Sequence, residues 1–175
     1  LRAFESSGVH GFTVITALTV QTAENVESWK PVDPELVKSQ LFSLLKSYEV
    51  NYVKVGMIPT KEILDVIVEA KKNFSVNLVV DPILKSGSGV SLIEEGLKEY
   101  MVKHLFPLFG ENDVLTPNAQ ECNVFTGIEL KTVNDAVEIG SAFSEMGPKR
   151  IAITGGHVLD SGAQVIDYLY YDGGV

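Results

Sequence analysis

The sequence predicts an α/β fold in three layers, with helices on both faces of a mostly parallel central sheet. Short apolar segments rich in β-branched residues alternate about five times with amphipathic helical segments along the 175 residues. Parallel strands need crossover connections, and helices usually supply them. The chain shows no internal repeat, low-complexity tract or interdomain linker. We therefore expect residues 1–175 to form a single domain with a sizeable core.

The first segments predict the end of a helix and then a buried strand. Residues 1–7 suit the last turns of a helix, and Gly8 suits its C-terminal cap. Residues 12–20 are nearly all apolar, which is typical of a strand buried on both faces. Gln21 follows directly, before a polar loop predicted over residues 22–29. A glutamine at such a strand end offers an acceptor and donors to a ligand; the alternative is a surface loop residue.

Two amphipathic helices with a short strand between them come next. The triplet Asp-Pro-Glu at 33–35 combines a cap, a proline and an acid, and predicts a helix to about residue 48. Residues 60–73 have the same helical spacing of apolar side chains. The strand predicted at 51–55 ends at Gly56 and Met57. We favour core packing over ligand contact for Met57, because methionine suits irregular gaps.

A carboxylate follows the next predicted strand. Residues 77–80 are apolar and lead into Asp81 and Pro82. Ligands of open α/β sheets bind outside the carboxyl ends of the strands, so Asp81 is placed to hold a metal ion or a ligand hydroxyl. The alternative is a cap of the following turn. Residues 85–90 lack the Gly-Lys-Ser/Thr ending of a P-loop, and their small residues favour a mobile lid over a phosphate cradle.

The stretch 116–127, TPNAQECNVFTG, follows a short strand predicted at 113–115 and opens a helix. Asn118 and Glu121 have the spacing of a capping box, and the first interpretation is that they only start the helix. The second is that the strand end brings an amide and a carboxylate to a site where the helix N-terminus attracts anions. We expect Gln21, Asp81 and Glu121 to share one cleft.

The remaining segments complete the alternation. They predict a helix at 92–105 with an exit at 106–110, a helix at 132–146, a strand at 150–153 that leads into TGGH at 154–157, and an edge strand at 164–171. Thr132 and Asp135 form a second capping-box pair. The end of the strand at 150–153 resembles those before Asp81 and Glu121 in bringing polar residues to the sheet edge.

Composition excludes several classes of function. The net charge of −9 argues against broad nucleic-acid or anionic-membrane binding, since both need a basic surface. Cys122 is the single cysteine, which excludes an intrachain disulfide or a cysteine-rich metal site and agrees with a cytoplasmic location. No apolar run approaches the roughly 18 residues of a membrane span, and no signal peptide is visible. The start inside a helix, without Met, leads us to expect a fragment.

Taken together, these motifs resemble the hydroxymethylpyrimidine/phosphomethylpyrimidine kinases of thiamine biosynthesis, in the ribokinase-like superfamily. The segments that carry the resemblance are GVHGFTVITALTVQ at 8–21, VKVGM at 53–57, VDP at 80–82 with Ser88-Gly89, TPNAQE at 116–121 and TGGH at 154–157. The resemblance extends over nearly the whole chain. It implies ATP-dependent phosphorylation of the hydroxymethylpyrimidine and of its monophosphate, with Mg²⁺, in a homodimer.

The resemblance also implies residue roles. The pyrimidine would bind Gln21, with Thr19, Met57 and Ile83 lining its pocket. Mg²⁺ and the ATP phosphates would be organised by Asp81 and Glu121, and the nucleotide would contact Asn118, Glu121, Thr154 and Gly156. The loop at 85–90 would border the site.

Three departures from the family pattern limit this assignment. Thr154 stands where many members have a lysine that contacts ATP. The N-terminal glycine-rich segment is missing, as is the C-terminal anion hole with the position of the catalytic base. We therefore expect no catalytic base within the chain, and no activity from the chain alone. Two alternatives remain: a pyridoxal kinase, and a non-catalytic domain that senses a pyrimidine.

Overall fold

A computed structural model of the chain describes residues 1–155, 165–171 and 173–175. Its helices there are α1 (Arg2–Ser6), α2 (Pro34–Ser47), α3 (Lys61–Asn73), α4 (Leu97–His104), α5 (Ala119–Thr126) and α6 (Val133–Met146). Its strands are β1 (Ala17–Gln21), β2 (Val26–Pro31), β3 (Tyr52–Val55), β4 (Asn77–Val80), β5 (Val114–Leu115), β6 (Ile151–Ile153) and β7 (Tyr168–Tyr170). A 3₁₀ turn, Phe106–Leu108, follows α4.

Strands β3 to β7 form one five-stranded sheet, in the order in which they occur along the chain. Strands β3 to β6 are parallel, and β7 is antiparallel to β6 at the edge. The α/β class, the mostly parallel sheet and the edge strand are thus confirmed, although residue 164 of the predicted strand lies outside the described residues. Because successive parallel strands advance in one direction, right-handed crossovers place the connecting helices on a single face of the sheet.

Helices α2 to α6 form one continuous layer on that face. Direct contacts join α2 to α3, α3 to α4, and α5 to α6. Phe106, just after α4, extends the layer through ring contacts with Phe125 of α5 and Phe143 of α6. The side chains that the sheet turns toward the layer form a buried row across all five strands: Val55, Val80, Leu115, Ile151 and Tyr170. The hydrophobic core lies between this row and the helices.

The opposite face of the sheet is more open. Strand side chains alternate between faces, and those on this face are half-buried or exposed: Lys54, Val79, Val114, Ala152 and Leu169. Within the described residues, the chain therefore supplies the sheet and one helical layer of the three-layer arrangement.

The prediction of a buried strand at 12–20 was wrong. Strand β1 starts only at Ala17, pairs antiparallel with β2 in a separate two-stranded sheet, and is largely exposed. The polar loop predicted at 22–29 was also wrong beyond its first four residues. The turn is confined to 22–25, where the Thr22 hydroxyl accepts the N–H groups of Glu24 and Asn25. An apolar, β-branched segment favours a strand, but it does not determine which strand becomes its partner.

The helix starts were predicted well, with one exception. Asp33, Thr60 and Thr132 each accept a first-turn N–H as N-caps, and Gly8 has the positive φ of a C-terminal cap after α1. The helix expected from residue 92 begins instead at Leu97, because its N-cap Gly96 is left-handed, with φ of 78°. Among the described residues, every helix is too short or too polar to cross a membrane.

Candidate active site

The carboxyl ends of β3, β4, β5 and β6 meet along one edge of the sheet. Hydrogen bonds extend the ladder past the strand ends: Asp81 donates its N–H to β3 at 2.9 Å, and Thr116 donates to β4 at 2.8 Å. Thr154, after β6, donates its N–H to the carbonyl of Pro117 at 2.9 Å and forms a bridge with Asn118. The predicted convergence of strand ends is therefore present for Asp81, Asn118 and Thr154, although Thr154 is itself exposed.

Asn118 and Glu121 form the capping box that their spacing predicts. Oε2 of Glu121 accepts the Asn118 N–H at 2.8 Å, and Oδ1 of Asn118 accepts the Glu121 N–H at 2.9 Å. The reciprocal bonds hold both side chains at the first turn of α5, where unpaired N–H groups give the helix end a partial positive charge. Glu121 is only 5% exposed. The structural role of the pair is thus confirmed, and it fixes a carboxylate at the sheet edge.

Asp81 lies close enough to Glu121 to affect its protonation. The pKa of Glu121 is raised to about 7, first by burial and then by the negative charge of Asp81. The N–H groups of Asn118 and Leu84 act in the opposite direction. Neighbouring carboxylates disfavour each other's charged form, and a bound cation relieves that repulsion.

The oxygen donors at this edge fit Mg²⁺. Mg²⁺ is commonly held by one or two carboxylates together with the phosphates of a substrate, which matches Asp81 and Glu121. Within the described residues, no group of three or more acidic, histidine or cysteine side chains could hold a metal ion. A metal ion at this edge would therefore depend on further ligands besides the two carboxylates.

Lys54 is a neighbour of the site that sequence reasoning missed. Its Nζ lies 3.4 Å from Oδ2 of Asp81, and the two side chains are 40% and 37% exposed. The sequence did contain a signal, because Lys54 interrupts the apolar residues of β3 between Val53 and Val55. A charged residue inside a predicted buried strand calls for a partner.

Met57 and Ile83, two residues predicted to line the pyrimidine pocket, lie after neighbouring strands. The Ile83 Cδ1 is 3.8 Å from the position that a Cβ on Gly56 would occupy, so it packs beside the end of β3. The backbone carbonyl of Met57 accepts the Thr16 hydroxyl at 2.7 Å. This bond joins the segment before β1 to the same sheet edge.

Gln21 and Thr19, the other two predicted pyrimidine contacts, lie on the β1–β2 hairpin and are exposed. Thr19 pairs with Trp29 across the hairpin, and Gln21 lies where the register shifts. In the part of the chain that the structure describes, no hydrogen bond joins Gln21 to Asp81 or Glu121. The structure thus brings the two carboxylates together and leaves Gln21 on a separate element.

The hairpin is attached to the loop predicted as a lid. The Trp29 Nε1–H donates to the carbonyl of Ser91 at 2.8 Å. The loop is closed by a bridge between Lys85 and Ser91 and by a hydrogen bond from the N–H of Ser86 to the carbonyl of Val90 at 2.8 Å. The hairpin and the loop therefore form one connected rim.

Gly155 is required by close packing next to the site. A Cβ there would overlap the Ile166 carbonyl oxygen, and the Gly155 N–H donates to Asp167 at 3.0 Å. The backbone after β6 is thus held against the segment before β7. Gly156, predicted to contact the nucleotide, and His157 lie outside the described residues.

Comparisons with known proteins give matches over nearly the whole chain. The family model described as phosphomethylpyrimidine kinase matches residues 1–175. The hydroxymethylpyrimidine/phosphomethylpyrimidine kinase of Aquifex aeolicus is 33% identical over 171 residues, covering 97% of this chain and 65% of that protein. The chloroplastic thiamine biosynthetic bifunctional enzyme of Arabidopsis thaliana is 34% identical over 175 residues, covering 99% of this chain and 33% of that enzyme. The chain thus spans less than two thirds of either relative.

Solved structures show the same fold. The crystal structure of phosphomethylpyrimidine kinase from Clostridium difficile 630 superimposes with a TM-score of 0.83 at 32% identity, covering 98% of this chain and 72% of that one. The pyridoxal kinase of Staphylococcus aureus in complex with AMP-PCP superimposes with a TM-score of 0.81 at 24% identity, covering 98% and 61%. At that identity the second likeness establishes the fold alone.

Proposed function

Because the chain belongs to the phosphomethylpyrimidine kinase family, we propose that the complete protein transfers a phosphoryl group from ATP to 4-amino-5-hydroxymethyl-2-methylpyrimidine and to its monophosphate, in thiamine diphosphate biosynthesis. The observation that carries the proposal is the meeting of the ends of β4, β5 and β6, which places Asp81, Asn118 and Thr154 along one sheet edge with Glu121 held there by the capping box. Residues 1–175 would then be part of one ribokinase-like domain. The catalytic base and anion hole would lie outside this segment.

In this proposal, Asp81 and Glu121 hold Mg²⁺ directly or through water. Bound there, Mg²⁺ would neutralise charge on the nucleotide phosphates. The two carboxylates by themselves would repel ATP, so their position favours a cation-dependent site. Their fixed backbone supports this role, since Asp81 continues the β3–β4 ladder and Glu121 is held by the capping box.

Three groups after β5 and β6 would face the phosphates. Asn118 brings an amide at the start of α5, and first-turn N–H groups of a helix favour anions. Thr154 lies beside it and offers a hydroxyl, although it cannot supply the positive charge of a lysine. Gly156 would contribute a backbone contact, following the resemblance.

The pyrimidine would bind toward β3, on the other side of Asp81. Met57 and Ile83, which follow β3 and β4, would supply its apolar contacts. Gln21 and Thr19 would act from the hairpin, with the Gln21 amide paired to the ring. The hydrogen bond from Trp29 to Ser91 supports this arrangement, because it holds the hairpin against the loop beside the site.

The test is turnover of the complete protein at fixed Mg²⁺. We expect Asp81→Asn and Glu121→Gln each to lower kcat by about 100-fold or more, because each removes an anionic ligand of the cation. Glu69→Gln is the control, since that carboxylate forms an exposed ion pair with Lys38 between α2 and α3. Near wild-type turnover in both site variants would overturn the assignment.

The same assay distinguishes the proposed pyrimidine kinase from the two alternatives. Phosphorylation of hydroxymethylpyrimidine monophosphate in preference to pyridoxal supports the proposal, and the reverse preference would favour a pyridoxal kinase. Pyrimidine binding without any turnover would favour a sensor.

A homodimer remains a prediction for sedimentation analysis of the complete protein, and the cytoplasmic location remains a prediction from the single cysteine.

A further inference from the structure

We propose that Lys54 is a resident counter-ion that weakens divalent-cation binding to Asp81 and Glu121 when no nucleotide is present. The metal ion would then bind strongly only together with the nucleotide phosphates. This inference rests on the proposed function of the two carboxylates. It starts from the distance of 3.4 Å between Lys54 Nζ and Asp81 Oδ2.

The sheet register places Lys54 beside the site. Lys54 pairs with Val79 of β4, and Asp81 follows Val79 by two residues, so the alternation of side chains points all three toward the open face. The lysine side chain is long enough to extend from β3 toward the carboxyl edge. Its contact with Asp81 therefore follows from the backbone pairing of two neighbouring strands.

The Lys54–Asp81 contact should affect cation binding more than it affects the stability of the fold. Both side chains are more than a third exposed, and exposed ion pairs contribute little to folding stability. A unit positive charge a few ångströms from a divalent cation, in contrast, repels it with twice the strength of a monovalent pair. In the salt bridges of the described residues, Lys54 is the cation that contacts this edge.

Losing Lys54 would also free the Asp81 carboxylate to rotate, which acts against metal binding, as the loss of an orienting partner does. We expect the loss of the positive charge to change the metal affinity more than the freed rotation of Asp81 does. The Asp81 backbone is held by its hydrogen bond to β3, so only the side-chain torsions are released. The net result of neutralising Lys54 is therefore tighter metal binding in the absence of nucleotide.

The experiment is a titration of the complete protein with Mn²⁺, followed by electron paramagnetic resonance, with and without AMP-PCP. We expect Lys54→Met to bind Mn²⁺ about tenfold more tightly than wild type without the analogue. Lys54→Arg keeps the charge and should retain the wild-type affinity. Lys54→Gln provides a second neutral variant should Lys54→Met fail to fold.

Lys38→Met is the matched control. Lys38 also forms a lysine–carboxylate pair, with side chains 36% and 40% exposed, but on the α2–α3 surface. The Lys38→Met variant should leave the affinity for Mn²⁺ unchanged. Unchanged or weaker Mn²⁺ binding in both neutral Lys54 variants would overturn the inference while leaving the metal site intact. Failure of wild type to bind Mn²⁺ even with AMP-PCP would overturn the metal site itself, and this inference with it.

Discussion

Asp113 and Glu121 are the two buried carboxylates of the described residues, and they lie at opposite ends of β5. Asp113, before the strand, is fully buried, and its Oδ2 lies 2.7 Å from Nζ of Lys71. It also accepts the backbone N–H groups of Leu78 and Gly110. Glu121, after the strand, has no ion pair with a described lysine or arginine and lies near Asp81 instead.

The two edges of the sheet thus differ in the partners that they give to a buried carboxylate. At the amino edge, Asp113 is matched by a cation and two N–H donors, which is how a structural carboxylate is normally accommodated. At the carboxyl edge, Glu121 carries a raised pKa and a like-charged neighbour. Perturbed groups of this kind concentrate where a ligand is bound. The difference supports the proposal that the carboxyl edge is the functional one.

The largest expected effect on stability is at the amino edge. Asp113→Asn should lower the free energy of unfolding by roughly 3 to 5 kcal/mol, because it removes the fully buried carboxylate that neutralises the partly buried Lys71 ammonium. Urea denaturation of the complete protein at pH 7 measures this. The control is Glu69→Gln, whose ion pair has the same 2.7 Å separation but is exposed, and which should cost less than about 1 kcal/mol. Equal losses would contradict the comparison.

The next effect is a pH dependence at the carboxyl edge. The folded-state pKa of Glu121 lies near 7, above its ordinary value of 4.5, so the native state retains a proton over this range. Its contribution to stability is therefore complete below about pH 4.5 and is lost as the pH rises through 7. The loss between pH 5 and pH 8 should be on the order of 3 kcal/mol in metal-free wild type.

Glu121→Gln isolates this contribution, because glutamine keeps the capping geometry and does not titrate. The free energy of unfolding, measured in urea with EDTA at both pH values, should fall less in the variant than in wild type. An identical fall in the two proteins would show that Glu121 is not perturbed by its surroundings.

The smallest expected effect on stability is the loss of a helix cap, compared here at two capping boxes. Asn118→Ala and Thr132→Ala each remove a cap, so each should cost about 1 kcal/mol of stability. Only Asn118 lies at the sheet edge, so only its loss should also raise the KM for ATP. Thermal unfolding and steady-state kinetics of the complete protein measure the two quantities. A matching rise in KM for Thr132→Ala would remove the distinction.

Much of the local structure could be read directly from the residues. Asp33, Asn118 and Thr132 marked their helix starts, because a cap and its first turn interact within four residues. The polar residues after β4, β5 and β6 were also recognisable, since ligand sites follow parallel strand ends. These features depend on short-range chemistry.

Two of the errors arose where the partner of a segment lies far along the chain. Residues 12–20 have the composition of a buried strand, yet β1 pairs with β2 in an exposed hairpin. The role of Lys54 was missed because its partner, Asp81, is 27 residues away and follows another strand. A third error had a local cause: α4 begins at Leu97 rather than at residue 92, because its N-cap Gly96 is left-handed.

By itself, then, the sequence determined the α/β alternation, the helix caps and the polar groups at the strand ends. Only the tertiary structure decided which strands pair, that α2 to α6 cover one face of the sheet, and that Asp113 is neutralised while Glu121 is not. The physical reason is the range of the interactions. Caps and periodicity act over one or two turns, whereas strand register and burial depend on residues brought together by the whole fold.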